Sequence, residues 1–235
     1  MGRAFELRKG RKMKRWDAMA KAFTRLGKEI ALAVKQSGPN PETNARLRTA
    51  MQNAKGLNMP KDRIENAIKK AASKEDKDIE EVVYEGYGPF GVAILVECAT
   101  DNPTRTVSNV RMYFNRGGGA LGKTGSLDFI FTRKGVFKFS AEGIDRDSIE
   151  LELIDGGAED IVEQDGEILV YTPFTEFGAM QNLLEEKGIS VTSAELQRIP
   201  NTTVELTEQQ EEEILELIEK FEEDEDVQAV YYNIS

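Results

Sequence analysis

Apolar side chains recur at helical spacing through the first third of the chain and at alternate positions through much of the rest. From Met13 to Gln36 the stripe is Trp16, Ala20, Phe23, Ile30 and Val34, flanked by Met19, Leu26 and Ala33, which predicts one long helix. Ser37-Gly38-Pro39 stops it. Asn40 is the expected cap of a second helix, with Pro41 in its first position and Leu47, Ala50, Met51, Ala54 and Leu57 along one face. Pro60 opens a third helix striped by Ile64, Ala67, Ile68 and Ala71. Three amphipathic helices of this kind make a small bundle.

The period then changes to two. Val82–Tyr87 and Val92–Ala99 read as a hairpin around Gly88-Pro89-Phe90-Gly91. A helix to Arg116, started by Asp101-Asn102-Pro103 with Asp101 as its cap, a glycine-rich loop from Gly117 to Gly125 and a strand Leu127–Thr132 follow. Next come strand Gly135–Phe139, helix Asp147–Leu153, strands Asp160–Glu163 and Glu167–Tyr171 around the turn Asp165-Gly166, helix Thr175–Lys187 and strand Ser190–Gln197. That order is βαββαβ, the ferredoxin-like arrangement. A short strand at Thr203–Leu206, a helix Glu208–Phe221 and a strand Val227–Ile234 close the chain.

The first α+β stretch has one helix and too little cover for its sheet, and the closing helix and strand supply what it lacks. The expected fold is therefore α+β and multidomain: an N-terminal three-helix bundle and two ferredoxin-like α+β domains, the third inserted in the second. The expected bounds are residues 1–76 for the helical domain, 77–133 with 200–235 for the middle domain, and 134–199 for the insert. Three domains in simple succession is the competing arrangement.

Charge adds the first functional signal. The chain is acidic, with 31 Lys+Arg against 42 Asp+Glu, yet residues 1–75 carry net +12 and the remainder net −23. The step marks a boundary near Ser73–Asp78. Between Arg8 and Lys28 nine cations (Arg8, Lys9, Arg11, Lys12, Lys14, Arg15, Lys21, Arg25 and Lys28) face one acid, Asp17. Arg46, Arg48, Lys55, Lys61, Arg63, Lys69 and Lys70 continue the positive surface on the next two helices. Solvating a helix face needs fewer cations than this, so a polyanion partner is expected, with Arg8–Lys12 as an arm ahead of the helix. Trp16 and Phe23 fall on the apolar stripe and belong to the core rather than to a base-stacking surface.

Composition excludes several chemistries. There is no histidine, so the commonest general base and zinc ligand are missing. The lone Cys98 makes no internal disulfide and sits in an alternating strand, which fits a core position and a reducing cytoplasm. No apolar run approaches the roughly 20 residues of a membrane span. Glu97, Asp101, Arg105 and Arg111 are polar enough for catalysis, but capping and ion pairing account for them. Neither a metal nor a cofactor is expected. The glutamates around Ile214, Leu217, Ile218 and Phe221 make the last helix an acidic, solvated one.

The segment Gly117-Gly118-Gly119-Ala120-Leu121-Gly122-Lys123-Thr124 matches G-x-x-x-x-G-K-[ST] letter for letter. A phosphate-binding P-loop needs a strand before it and a helix after it, and here the predicted order is reversed. The match is read as a decoy, leaving a distant alternative of a nucleotide-binding enzyme. A middle reading makes Arg116, Gly118, Gly119, Gly122 and Lys123 a candidate phosphate-contacting loop for bound nucleic acid.

The stretches Val83–Gly91 (VYEGYGPFG), Val96–Val107 (VECATDNPTRTV), Asn58–Lys69 (NMPKDRIENAIK), Gly118–Ser126 and Phe131–Val136 (FTRKGV) resemble the YebC family over essentially the whole chain. These are bacterial proteins usually described as transcriptional regulators and related to a mitochondrial translational activator of cytochrome oxidase. The resemblance implies three domains around a cleft, a cytoplasmic location, and a non-enzymatic role in gene expression through DNA or through the ribosome and its RNA. It implies no small-molecule substrate. Two departures stand out: the start reads Gly2-Arg3-Ala4-Phe5-Glu6-Leu7-Arg8-Lys9 in place of a GHSKW-type pattern, and Phe90 occupies a place where a small residue is common. No helix-turn-helix and no aromatic RNA-binding strand motif is apparent. The expected activity is DNA-binding transcriptional regulation, with ribosome-associated translation as the alternative.

Overall fold

The computed structural model describes residues 3–73 and 78–235, with side chains from Met19 onward, those of Arg146 and Asp147 excepted. The first element, α1 (Arg3–Ser37), is a single helix of 35 residues. It begins ten residues earlier than the stripe predicts, so the backbone of the expected Arg8–Lys12 arm is helical. Glu, Leu, Arg, Lys and Met all favour helix, and no proline interrupts the run before Pro39. The chain leaves α1 through Gly38, whose amide donates to the Val34 carbonyl at 2.7 Å.

The second helix, α2 (Ala45–Gly56), is capped by Asn44 rather than Asn40. Asn44 accepts from the Leu47 amide at 2.9 Å and donates to the carbonyls of Ala33 and Gly38 at 2.7 and 2.8 Å. One buried amide thus satisfies the end of α1 and the start of α2 together. After Pro60, α3 (Lys61–Ala72) completes the bundle, whose core gathers Leu26, Ile30, Val34, Leu47, Ala50, Ala54, Ile64 and Ala71. The expected boundary at Ser73–Asp78 falls largely outside the described residues.

β1 (Glu80–Tyr87) and β2 (Ala93–Thr100) form the hairpin, followed by α4 (Pro103–Arg116) and a two-residue strand β3 (Ala120–Leu121). Residues 124–130 are turns, not the expected strand. Leu127, Ile130 and Phe131 are spaced for a helical turn, and the amides of Ile130 and Phe131 both bond to the Leu127 carbonyl. This places the three side chains against Ala93 and Leu95 on one face of the sheet.

Strand β4 (Phe131–Ser140) then begins the second α+β unit, with α5 (Arg146–Asp155), β5 (Asp160–Gln164), β6 (Glu167–Pro173), α6 (Phe177–Glu186) and β7 (Val191–Pro200). Its antiparallel order is β5-β6-β4-β7, as the βαββαβ pattern requires. Asp165 and Gly166 both have positive φ, the signature of the tight hairpin between β5 and β6.

The chain returns through α7 (Glu208–Glu222) and β8 (Val227–Tyr232). β8 pairs with β2, giving the first sheet the order β3-β1-β2-β8, so the second unit is inserted in the first. Helices α4 and α7 cover one face of that sheet, with the rings of Phe114 and Phe221 at 4.8 Å. In place of the short strand at Thr203–Leu206, Val204 makes one bridge to Ile234.

Candidate nucleic-acid interface

The basic residues of the helical unit separate into two groups. Lys21, Lys55, Lys61, Arg63, Lys69 and Lys70 lie exposed on the three helices. Lys61 faces Glu65 at 3.7 Å, and the Arg63 guanidinium sits over the Phe23 ring at 5.7 Å. The side chains of Arg8, Lys9, Arg11, Lys12, Lys14, Arg15 and Trp16 lie outside the described residues.

Lys28, Arg25 and Arg46 are committed to the seams of the molecule, and Arg48 is held at one nitrogen within the helical unit. Lys28 donates to the carbonyls of Ala99 and Glu225 and to Asp226 Oδ1, at 2.9, 2.7 and 2.9 Å. Arg25 donates to the Glu222 carbonyl at 3.1 Å. These contacts place positive charge at the carboxyl end of α7, where its dipole is negative. Arg46 forks onto Glu81 and also reaches Gln36 at 3.0 Å. Arg48 Nη1 is held by the carbonyls of Pro41 and Glu42.

Asp226 is the centre of the joint between α1 and the first sheet. Besides Lys28 it accepts from Thr100, Thr106 and Arg105, the last at 2.6 Å. Burial alone would raise its pKa, but the hydrogen bonds from Arg105, Lys28 and Thr106 outweigh it and hold the carboxyl down at about 2. Asn102, not Asp101, caps α4, accepting from the Arg105 amide at 3.1 Å, while Asp101 pairs with Arg105. The sequence pointed to Val96–Val107, with Asp101 and Arg105 within it, but not to Asp226, which lies 120 residues beyond Thr106. Cys98 is buried beside this joint, and burial with the nearby Asp224 and Asp226 pushes its thiol up to about 12, so it stays protonated.

A second joint ties α2 to the inserted unit. Asn53 pairs with Ala194 like a strand residue, accepting from its amide at 2.8 Å and donating to its carbonyl at 2.9 Å. Thr49 and Gln181 bond nearby, and a Cβ on Gly56 would lie 1.9 Å from the Thr192 carbonyl oxygen, so only glycine permits this approach. Glu29 lies where all three units meet. Burial, with Glu195 and Glu81 opposing Arg46, raises its pKa to about 7.

The glycine-rich loop is occupied by its own chain. Gly118 and Gly119 donate to the carbonyls of Asn115 and Phe114, and Gly122 donates to the Glu85 carbonyl at 2.7 Å. The buried Glu85 carboxylate accepts from the amides of Gly125 and Leu127 at 2.9 and 2.7 Å. Helix α4 precedes the loop and turns follow it, so no helix N-terminus faces a phosphate there. Of the candidate loop residues, Arg116 and Lys123 present exposed cations, while the glycine amides are already bonded. Phe90 adopts a left-handed backbone, φ 61°, which accounts for the fit of a small residue at this turn.

This arrangement has counterparts. Residues 3–74 match the model of the TACO1/YebC protein N-terminal domain, and residues 79–234 match that of the TACO1/YebC second and third domain. The chain belongs to the TACO1/YebC family. Among its relatives, a probable transcriptional regulatory protein of Cytophaga hutchinsonii is 65% identical over 100% of this chain and 99% of its own length. Another so named, from Porphyromonas gingivalis, is 56% identical over 100% and 97%. The crystal structure of a conserved hypothetical protein from Aquifex aeolicus superposes with a TM-score of 0.82 at 39% identity, covering 92% of this chain and 90% of that one. The TACO1/YebC fold is therefore the frame in which the basic helical unit sits. No helix among the described residues is long and apolar enough to cross a membrane.

Proposed function

We propose that the protein is a cytoplasmic, non-enzymatic regulator of gene expression that binds nucleic acid, acting on transcription by binding DNA. The observation that carries this reading is the charge step, net +12 in residues 1–75 against net −23 in the rest. The exposed cations of α2 and α3, the continuous helix beneath the basic N-terminal run, and the names of its relatives support the same reading. Phosphates exchange condensed counterions for such cations, while the acidic remainder repels strands that do not engage the helical unit. The working units are residues 1–76, 77–133 with 200–235, and 134–199, a division supported by the membership of the two sheets.

The test is crosslinking in cells followed by sequencing of both bound DNA and bound RNA. Enrichment of promoter DNA is the expected result. Enrichment of ribosomal RNA over promoters would assign the protein to translation, and recovery of neither would overturn nucleic-acid binding.

A further inference from the structure

We propose that the groove between α2 and α6 holds one unpaired nucleotide of the bound nucleic acid, an inference that rests on the nucleic-acid reading above. The groove is open to solvent, has a volume of about 390 Å³ and is lined by Pro41, Arg48, Met51, Gln52, Lys55 and Glu185. This volume is within the range of small-ligand sites, roughly 300–1,000 Å³.

Positions 48, 51, 52 and 55 form one outward strip of α2, because residues three, four and seven apart share a helix face. The opposite face is spent on the bundle core through Leu47, Ala50 and Ala54; Met51, half-buried at the border of the two faces, packs its inner side against that core and keeps its outer side on the strip. The strip carries a cation at each end, with a thioether and an amide between them. Arg48 is already oriented: the Pro41 and Glu42 carbonyls hold Nη1 at 3.1 and 3.2 Å, which leaves the Nε and Nη2 edge of the fork for a phosphate. Lys55 is exposed one helical repeat further on and is a second point charge for the same strand. Gln52 is fixed by its bond to the Val191 carbonyl, which keeps the floor of the groove in place.

Met51 and Pro41 provide an apolar surface against which a base can lie, while the opposite wall offers one exposed carboxylate, Glu185. A carboxylate only accepts hydrogen bonds, so it favours bases that present an amino group there and disfavours thymine, whose N3–H is flanked by two carbonyls. Two cations for the phosphate, an apolar wall and one acceptor for the base edge match a single nucleotide lifted out of a stack. A base stacked and paired within a duplex has no free face to lay against Met51 and Pro41.

The test is fluorescence anisotropy with the full chain and short oligo(dC), oligo(dA) and oligo(dT), each compared with a mixed-sequence duplex of equal length. Oligo(dC) and oligo(dA) are expected to bind more tightly than oligo(dT). Lys55→Gln, whose ammonium has no partner among the described residues, should weaken single-strand binding about tenfold and lower the salt slope by about 0.7. Arg48→Gln should do the same, and Arg48→Lys should restore the slope. Glu185→Gln should narrow the base preference without weakening binding of oligo(dT). Unchanged affinity in Lys55→Gln together with unchanged preference in Glu185→Gln would overturn the groove assignment. So would a protein that binds the duplex but none of the single strands, and in that case the nucleic-acid reading survives. Binding to neither duplex nor single strands overturns both.

Discussion

Lys28 Nζ and Asp226 Oδ1 meet at 2.9 Å across the seam between the helical unit and the first sheet. The two residues are 198 positions apart, and Arg105, Thr100 and Thr106 close on the same carboxylate. A cation in the densest basic run of the chain thus helps to hold the fold together.

Removing that carboxylate charge is expected to destabilise the protein. The folded pKa of Asp226 is lowered from 3.8 to about 2, so its contribution is present above pH 4 and is lost as the pH falls toward 2. A shift of this size corresponds to about 2 kcal/mol at neutral pH. Asp226→Asn should lower the stability measured in urea at pH 7 by at least that amount, and the gap to the wild-type protein should shrink at pH 3. A gap independent of pH would show that shape, not charge, is what Asp226 supplies.

Glu29 has the opposite sign. Burial and the neighbouring Glu195 and Glu81, against Arg46, raise its pKa from 4.5 to about 7. The folded state therefore holds a proton that the unfolded chain releases, and stability from this site falls as the pH rises from 4.5 to 7. Glu29→Gln should remove that slope and raise the melting temperature at pH 8 while changing little near pH 4.5. Thermal melts across this range check the sign directly.

The insertion was legible because the closing helix and strand had no partners in their own neighbourhood, and an α+β sheet with one helix lacked cover. The two joints were not. Asn53 looks like any polar helix residue until Ala194 is brought beside it, and Asp226 looks like one more acid in an acidic tail. Helical spacing identified the faces of the bundle, but which cations on those faces turn inward depends on partners up to 198 residues away. The strand expected at Leu127–Thr132 begins only at Phe131 for a local reason: Leu127, Phe129 and Phe131 alternate, but Leu127, Ile130 and Phe131 also fit one helical turn, which packs those three on the sheet and leaves Phe129 exposed.

Gly56→Ala should test the second joint. The added methyl carbon would stand 1.9 Å from the Thr192 carbonyl oxygen, which is backbone and cannot swing aside. A cost of about 2 kcal/mol or more is expected, since α2 or β7 must shift and the Asn53–Ala194 pair would open. The diagnostic readout is amide hydrogen exchange at Ala194, which should accelerate more than exchange at Val96 in the first sheet. Equal acceleration at both would indicate global loss of stability instead of a sprung joint.

The glycine-rich loop offers a sharper test of its own chemistry. Because the Glu85 carboxylate accepts from the amides of Gly125 and Leu127, Glu85→Gln would set an amide donor against one of them. Proteolysis within residues 117–126 should become faster in that variant. Lys123→Ala should leave these bonds intact, and neither the wild-type protein nor this variant should turn over ATP, because the amides of Gly118, Gly119 and Gly122 are bonded internally and turns rather than a helix follow the loop. ATP turnover lost on Lys123→Ala would restore the enzymatic alternative.

The exposed and the inward-bonded cations should respond differently to salt. If binding is to phosphates, each exposed contact removed lowers the slope of log affinity against log salt by about 0.9 on duplex DNA. Lys69→Gln and Lys61→Gln should each do this without changing the melting temperature. Lys28→Gln should behave in reverse, lowering the melting temperature and leaving the slope of the protein that remains folded almost unchanged, because its ammonium is already bonded to Ala99, Glu225 and Asp226. Measured together at several salt concentrations, the three variants separate a cation that meets the partner from one that holds the helical unit in place. A slope that falls equally in all three would mean that the α1 seam opens on binding and that Lys28 exchanges Asp226 for a phosphate.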